Sequence, residues 1–149
     1  MRKYEYFQWN WFLIIGLGAV VIFLSMRLND PATPPLPFYA TMLIQILLIL
    51  IPLMFYGLRT TINDDTIQLK YGIGIITINF SISEIQSVRP VRNPWYYGIG
   101  IRVIPGGMLY NAHGLDAVEI RFKSRKSKVR IGSGEPEILK YEIEKRLAA

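Results

Sequence analysis

The densest charge in the chain lies in a run of ten residues, RFKSRKSKVR, at positions 121–130. Six of its side chains are basic and none is acidic: Arg121, Lys123, Arg125, Lys126, Lys128 and Arg130. Contact with anionic lipid headgroups is one interpretation, worth ~1 kcal/mol for each basic residue near the surface. A solvated hairpin with outward charges is the second. Nucleic acid is the third, but no recognition motif accompanies the run, so we predict no nucleic-acid binding.

Residues suited to catalysis or metal binding are few. His113 is the only histidine, cysteine is absent, and a zinc site needs three or four ligands, so His113 with Asp116 is too small a set. Ser133 in IGSGE lacks the spacing of a nucleophile elbow and reads as a helix cap. The sequence therefore predicts no catalytic residue, no cofactor and no metal, and we expect the protein not to be an enzyme.

The stretch YGIGI occurs twice, beginning at Tyr71 and at Tyr97. A dinucleotide-binding loop needs a third glycine and a helix directly after it, and neither copy has them. We predict instead that both copies mark the starts of strands, where glycine permits sharp bends.

Three consecutive aromatic residues, Trp95, Tyr96 and Tyr97, follow an Asn93-Pro94 turn signal. Amphipathic rings of this kind favour the boundary between lipid and water. We predict that they form a loop that packs on the body of the protein or dips toward lipid, and that contacts a partner or the membrane.

The elements that must position these residues differ between the two parts of the chain. Two uncharged apolar segments, at about 7–26 and 38–58, flank a proline-rich connection at 27–37. A helix of ~20 residues spans a hydrocarbon core of roughly 30 Å, so residues 1–59 are predicted to form a two-helix membrane hairpin. Arg2, Lys3 and Arg59 lie on one side of the spans and Arg27 alone on the other, which predicts a multi-pass inner-membrane protein with both termini cytoplasmic.

The remaining residues, 60–149, alternate between apolar and polar positions. Ile67, Leu69 and Tyr71 share one face of a predicted strand, and Val118, Ile120 and Phe122 share a face of another. Turn residues every 8–12 positions indicate a meander of short antiparallel strands. The segment from Pro136 predicts a C-terminal amphipathic helix, because proline suits a first helical turn and basic residues follow near the end.

The segments INDDTIQLKYGIGIITINFSISEIQSVRPVRNP and NPWYYGIGIRVIPGGMLYNAHGLDAVEIRFKSRKSKVRIGSGEPEILKYEIEKRL resemble the two halves of a bacterial PH-like domain. The resemblance covers about residues 60–148. It implies a PH-like barrel of about seven antiparallel strands, closed by the C-terminal helix and attached to the membrane hairpin. In phosphoinositide-binding members basic residues surround the first hairpin turn. Here that turn is Asn63-Asp64-Asp65, which argues against phosphoinositide recognition.

These features predict a membrane-anchored binding or scaffolding protein. Its predicted partners are the lipid bilayer and a protein, a second copy of the chain included. An accessory subunit of a transporter or membrane enzyme complex is the alternative, and an enzyme is the third hypothesis.

Overall fold

The computed structural model describes residues 3–28 and 34–148, so residues 29–33 of the predicted proline-rich connection lie outside the described part. The described residues form three helices: α1 (Trp11–Leu28), α2 (Phe38–Phe55) and α3 (Pro136–Leu147). They also form nine strands: β1 (Tyr4–Trp9), β2 (Gly57–Ile62), β3 (Thr66–Tyr71), β4 (Ile76–Ser81), β5 (Ile85–Arg92), β6 (Gly100–Ile104), β7 (Gly107–Asn111), β8 (Asp116–Phe122) and β9 (Lys128–Gly132).

The first sheet has the antiparallel order β1-β2-β3-β4, and the helical hairpin is inserted within it. Strand β1 runs directly into α1, and α2 runs directly into β2, while β1 and β2 pair from Tyr4↔Ile62 to Trp9↔Gly57. The Asn10 amide then donates to the Tyr56 carbonyl at 2.8 Å, where the ladder ends and the helices begin. The hairpin is therefore joined to the sheet through two paired strands.

The second sheet has the order β5-β8-β9-β7-β6. Its neighbours are antiparallel except β7 and β9, which pair in parallel. A short 3₁₀ turn, Ile82–Glu84, redirects the chain from the first sheet to the second.

The core lies between the two sheets and beneath α3. Apolar residues with period two on β3, β8 and β9 face it, as expected for strands covered on one side. Leu139 and Ile143 of α3 are fully buried in the same cluster. The C-terminal helix predicted from the sequence is confirmed, with Pro136 in its first turn.

The body has two ends, defined by the helical hairpin. At the helix-proximal end, Ile73 in the β3–β4 turn donates its amide to the Leu53 carbonyl in the last turn of α2. At the helix-distal end, the 3₁₀ turn that follows β4 lies beside the β8–β9 connection. There the Lys123 amide donates to the Glu84 carbonyl at 2.8 Å. Strand β8 has seven residues, so its termini are about 20 Å apart.

The predicted seven-stranded barrel closed by a helix is wrong. In the described part of the chain the strands form two open sheets, and α3 packs against β5, β8 and the 3₁₀ turn. Two causes are visible. The N-terminal residues Tyr4–Trp9, predicted to lie before or within a membrane helix, add a strand to the first sheet, and the turn at Ile82–Glu84 separates the sheets.

The predicted multi-pass inner-membrane localisation with both termini cytoplasmic is also not supported. Among the described helices, only α2 is long and apolar enough to cross a bilayer, and the apolar stretch Trp11–Arg27 is shorter. The reason is that β1 takes up the residues that would have extended the first helix to the predicted span of about 7–26.

The two YGIGI copies lie in different local structures. In the first copy Tyr71 ends β3 and Gly72 turns the chain toward β4 with a φ of 51°. In the second copy Gly98, with a φ of 69°, precedes β6. The predicted strand start is thus present only in the second copy.

Candidate functional site

A fully buried carboxylate, Glu119, organises the outer face of the second sheet. Its Oε1 accepts hydrogen bonds from Arg89 at 2.6 and 3.1 Å, and its Oε2 accepts one from Arg130 at 2.9 Å. Arg121 and Lys128 each place a nitrogen 3.5 Å from the carboxylate. We call these five residues the Glu119 cluster. It contains four cations and one anion.

The strand register explains why these side chains meet. Arg89, Glu119 and Arg130 are directly paired across β5, β8 and β9, so they point to the same face. Arg121 lies two residues after Glu119 on the same strand, which returns it to that face. Arg130 also donates to the Asn93 side chain at 2.9 Å and lies over the Tyr97 ring, which links the cluster to the aromatic loop.

Opposing effects determine the pKa of Glu119. Burial opposes the ionised form and by itself raises the pKa. Hydrogen bonds from Arg130 and Arg89, together with the charges of Lys128 and Arg130, outweigh burial and lower the pKa to about 2. The carboxylate is therefore ionised at neutral pH, and the cluster carries an excess of positive charge.

The six basic residues predicted to form one contact surface for anionic lipid are divided by the structure. Arg121, Lys128 and Arg130 surround Glu119, and Lys128 and Arg130 are largely covered. Lys123, Arg125 and Lys126 lie in the β8–β9 connection at the helix-distal end. With Arg121, they line a cleft of about 510 Å³ that also includes Gln86, Phe122 and Ser124, and we call it the distal cleft.

The predicted aromatic loop, Trp95–Tyr97, forms a 3₁₀ turn at the helix-proximal end. Trp95 is 80% exposed, and it shares an apolar groove of about 520 Å³ with Phe12 at the start of α1 and with His113. Other large exposed apolar side chains lie at the same end, on β1, α1 and the β3–β4 turn. The helix-proximal rim is the set Trp9, Trp11, Phe12, Ile73, Ile75, Trp95 and Tyr96.

A buried glutamine connects β1 to the second sheet. The Gln8 amide nitrogen donates to the His113 carbonyl, and its side-chain oxygen accepts from the Ala112 amide at 3.1 Å. Nearby, the Tyr6 hydroxyl accepts from the Gly134 amide at 3.0 Å. These contacts hold the strand that precedes α1 against the body of the protein.

The residues considered for catalysis or metal binding, His113, Asp116 and Ser133, line one cleft of about 370 Å³ together with residues of β1. His113 is exposed in the β7–β8 connection with its ring 5.8 Å from Phe12, and Ser133 accepts a hydrogen bond from the Glu135 amide just before α3. Within residues 3–28 and 34–148, no group of three His, Cys, Asp or Glu residues is placed to hold a metal.

Sequence reasoning missed Arg89, the buried state of Glu119 and the role of Gln8. Glu119 alternates with the core residues Val118 and Ile120 and so points away from the core, but its carboxylate is covered by the cations around it. Only the pairing of β5 with β8, about thirty residues apart, brings Arg89 to it. The available signal in the sequence was an acid in alternation with apolar residues directly before the basic run at 121–130.

Comparison of the chain with protein-family models, curated proteins and solved structures finds no match. The resemblance to PH-like domains therefore stays a prediction.

Proposed function

We propose that this protein is a membrane-attached binding protein, whose two-sheet body holds a protein partner beside a lipid surface. The observation that carries the proposal is the position of the apolar helical hairpin. It leaves the body at one end, and the helix-proximal rim surrounds its base.

The chemistry of the rim supports contact with lipid. Tryptophan and tyrosine favour the headgroup layer, because their rings are apolar and their N–H or O–H group hydrogen-bonds to water. Trp95 lies on a different element from Trp9 and Trp11, yet the groove it shares with Phe12 places it beside α1. Exposed isoleucines at positions 73 and 75 lie beside the last turn of α2. Exposed apolar side chains grouped in this way are typical of a membrane or protein contact.

The distribution of charge supports binding rather than catalysis at the other end. The Glu119 cluster presents cations on the second sheet and the distal cleft presents them mainly in the β8–β9 connection, and such surfaces provide charge complementarity for a binding partner. The accessory role in a larger membrane complex has one observation in its favour. Gln45 places an amide in the groove between α1 and α2, and such amides hydrogen-bond to neighbouring helices within lipid.

The proposal is tested by the depth of single tryptophans in vesicles. We replace Trp9 and Trp11 with phenylalanine and leave Trp95 as the only tryptophan. The matched control has all three native tryptophans replaced and Ser124→Trp at the helix-distal end. Brominated lipids should quench the fluorescence of Trp95 and leave that of the control unchanged. Equal quenching of both, or quenching of the control alone, contradicts the proposed arrangement.

A further inference from the structure

The distal cleft is a concave, cationic surface at the end of the body that lies away from the α1–α2 hairpin. Its volume of about 510 Å³ lies within the range of ~300–1,000 Å³ typical of ligand sites. Four of the residues that line it are basic, and none of its described lining residues is acidic. Arg121 pairs with the Glu119 carboxylate at 3.5 Å, but Arg89 and Arg130 also bind that carboxylate, so this one acid faces more positive charge than it can neutralise.

The cations are held in place while much of their hydrogen-bonding capacity stays available. The Arg125 guanidinium lies 3.8 Å from the Phe122 ring centre, and stacking on an aromatic face leaves the N–H edge of guanidinium exposed. The Lys123 ammonium donates to the Ser83 carbonyl at 2.8 Å, which uses one of its three hydrogens. The side chain of Arg121 is 57% exposed. A site with preorganised cations loses less entropy when an anion binds.

The position of the cleft decides where the anion comes from. About 20 Å of strand β8 separates the β8–β9 connection from the helix-proximal end. At physiological ionic strength electrostatic attraction is screened beyond ~8 Å. A bilayer around α2, the one described helix that is long and apolar enough to cross it, therefore does not reach the cleft, and the ligand of the cleft comes from the aqueous phase.

We infer that the distal cleft binds an acidic segment of a protein partner through several carboxylates. The cations are spread over Arg121, Lys123, Arg125 and Lys126, which suits carboxylates spaced along a peptide better than one compact anion. The inference rests on the proposed function for the existence of a protein partner, and it adds the chemistry by which that partner is recognised.

The test uses the full chain in phosphatidylcholine nanodiscs and a fluorescent oligoglutamate peptide, with oligoglutamine as the uncharged probe. Binding is measured by fluorescence anisotropy at low and at physiological salt. We compare the wild type with Arg121→Gln/Lys126→Gln. The control, Lys70→Gln/Arg92→Gln, removes the same charge near the helix-proximal end. Circular dichroism checks that every variant is folded.

The wild type and the control should bind oligoglutamate, more tightly at low salt, and should not bind oligoglutamine. The cleft variant should bind at least about tenfold more weakly, because two charge-assisted contacts are lost. Equal binding by the cleft variant and the wild type overturns the inference, and so does equal binding of the two peptides. Binding of added anionic phosphatidylserine vesicles through Arg121 and Lys126, without binding of the peptide, overturns it in favour of lipid.

The membrane proposal and the peptide-binding inference can fail independently, and different measurements show each failure. If the chain does not enter nanodiscs, or if Trp95 is not quenched by brominated lipid, the membrane proposal fails. The same anisotropy titration with detergent-solubilised chain still decides whether the cleft binds acidic peptide.

Discussion

At the scale of single residues, Glu119 shows how a buried charge can be stable in a small domain. A buried carboxylate without partners is strongly unfavourable. Here three arginines hydrogen-bond to it, Arg121 at the longest distance of 3.5 Å, and Lys128 lies 3.5 Å away. The carboxylate in turn allows four cations to lie together on adjacent strands.

We predict that Glu119→Gln destabilises the protein by about 3–5 kcal/mol, because four close cations lose their shared counter-charge. Thermal unfolding in detergent, followed by circular dichroism, measures the effect. Glu84→Gln is the control, since Glu84 is exposed and outside the cluster. Similar stability of the two variants would show that the cluster contributes little.

The low pKa of Glu119 predicts a dependence of stability on pH. Because the pKa is about 2 in the folded protein and 4.5 is its ordinary value, the ionised form is favoured by folding. This contribution, roughly 3 kcal/mol, is fully present above pH 4.5 and is lost as the pH falls toward 2.

The stability difference between wild type and Glu119→Gln should therefore be largest near neutral pH and shrink on acidification through this window. Unfolding curves of both proteins at pH 7, 4.5 and 3 measure it. A stability difference that stays constant between neutral and acidic pH would contradict the low pKa of Glu119.

At the scale of elements, β1 is the strand that joins the helical hairpin to the body. It pairs with β2 along its whole length, and Gln8 fastens it to the β7–β8 connection. The six residues YEYFQW alternate in burial only in part, because aromatic side chains occupy both faces. This strand determines where the hairpin leaves the sheet.

Gln8→Ala should loosen this connection and lower stability by about 1–3 kcal/mol, since a buried amide and carbonyl lose their partners. Hydrogen exchange of the Ala112 amide should become faster in the variant. Gln68→Ala, which removes an exposed side-chain bond to Asn79, is the matched control and should leave that amide unchanged. Unaltered protection of Ala112 in the Gln8 variant would refute the predicted role.

At the scale of the whole molecule, the apolar helices and the cationic surfaces are separated along one direction. Side chains of α2 are exposed in the chain by itself, and α2 contacts α1 over only part of its surface. An apolar helix with this much exposed surface is stabilised by lipid or by a second protein.

Ile46→Lys/Ile49→Lys on α2 should release the protein from membranes, because each lysine costs ~2.5–3.5 kcal/mol at the centre of a bilayer. Both side chains are exposed, so the body should keep its fold. Flotation of vesicles on a density gradient measures the release, with Ile46→Leu/Ile49→Leu as the control. Retention of the lysine variant in the floating fraction would show that α2 does not hold the protein in lipid.

The sequence by itself determined the features that depend on local pattern. The apolar helices, the alternation on β3, β8 and β9, and the terminal helix from Pro136 all follow from neighbouring side chains that share one environment. Local pattern does not predict the exposure of residues whose surroundings depend on which strands pair. Val103, an apolar residue in alternation on β6, is 84% exposed, and β6 is the edge strand of the second sheet.

Only the tertiary structure decided the arrangement that matters for function. Whether Tyr4–Trp9 extends a helix or adds a strand depends on β2, about fifty residues later in the chain. Whether Glu119 is solvated or buried depends on Arg89 and Arg130, which strand register brings to it. Register and sheet order arise from contacts between distant residues. These contacts also place the aromatic rim and the basic cleft at opposite ends.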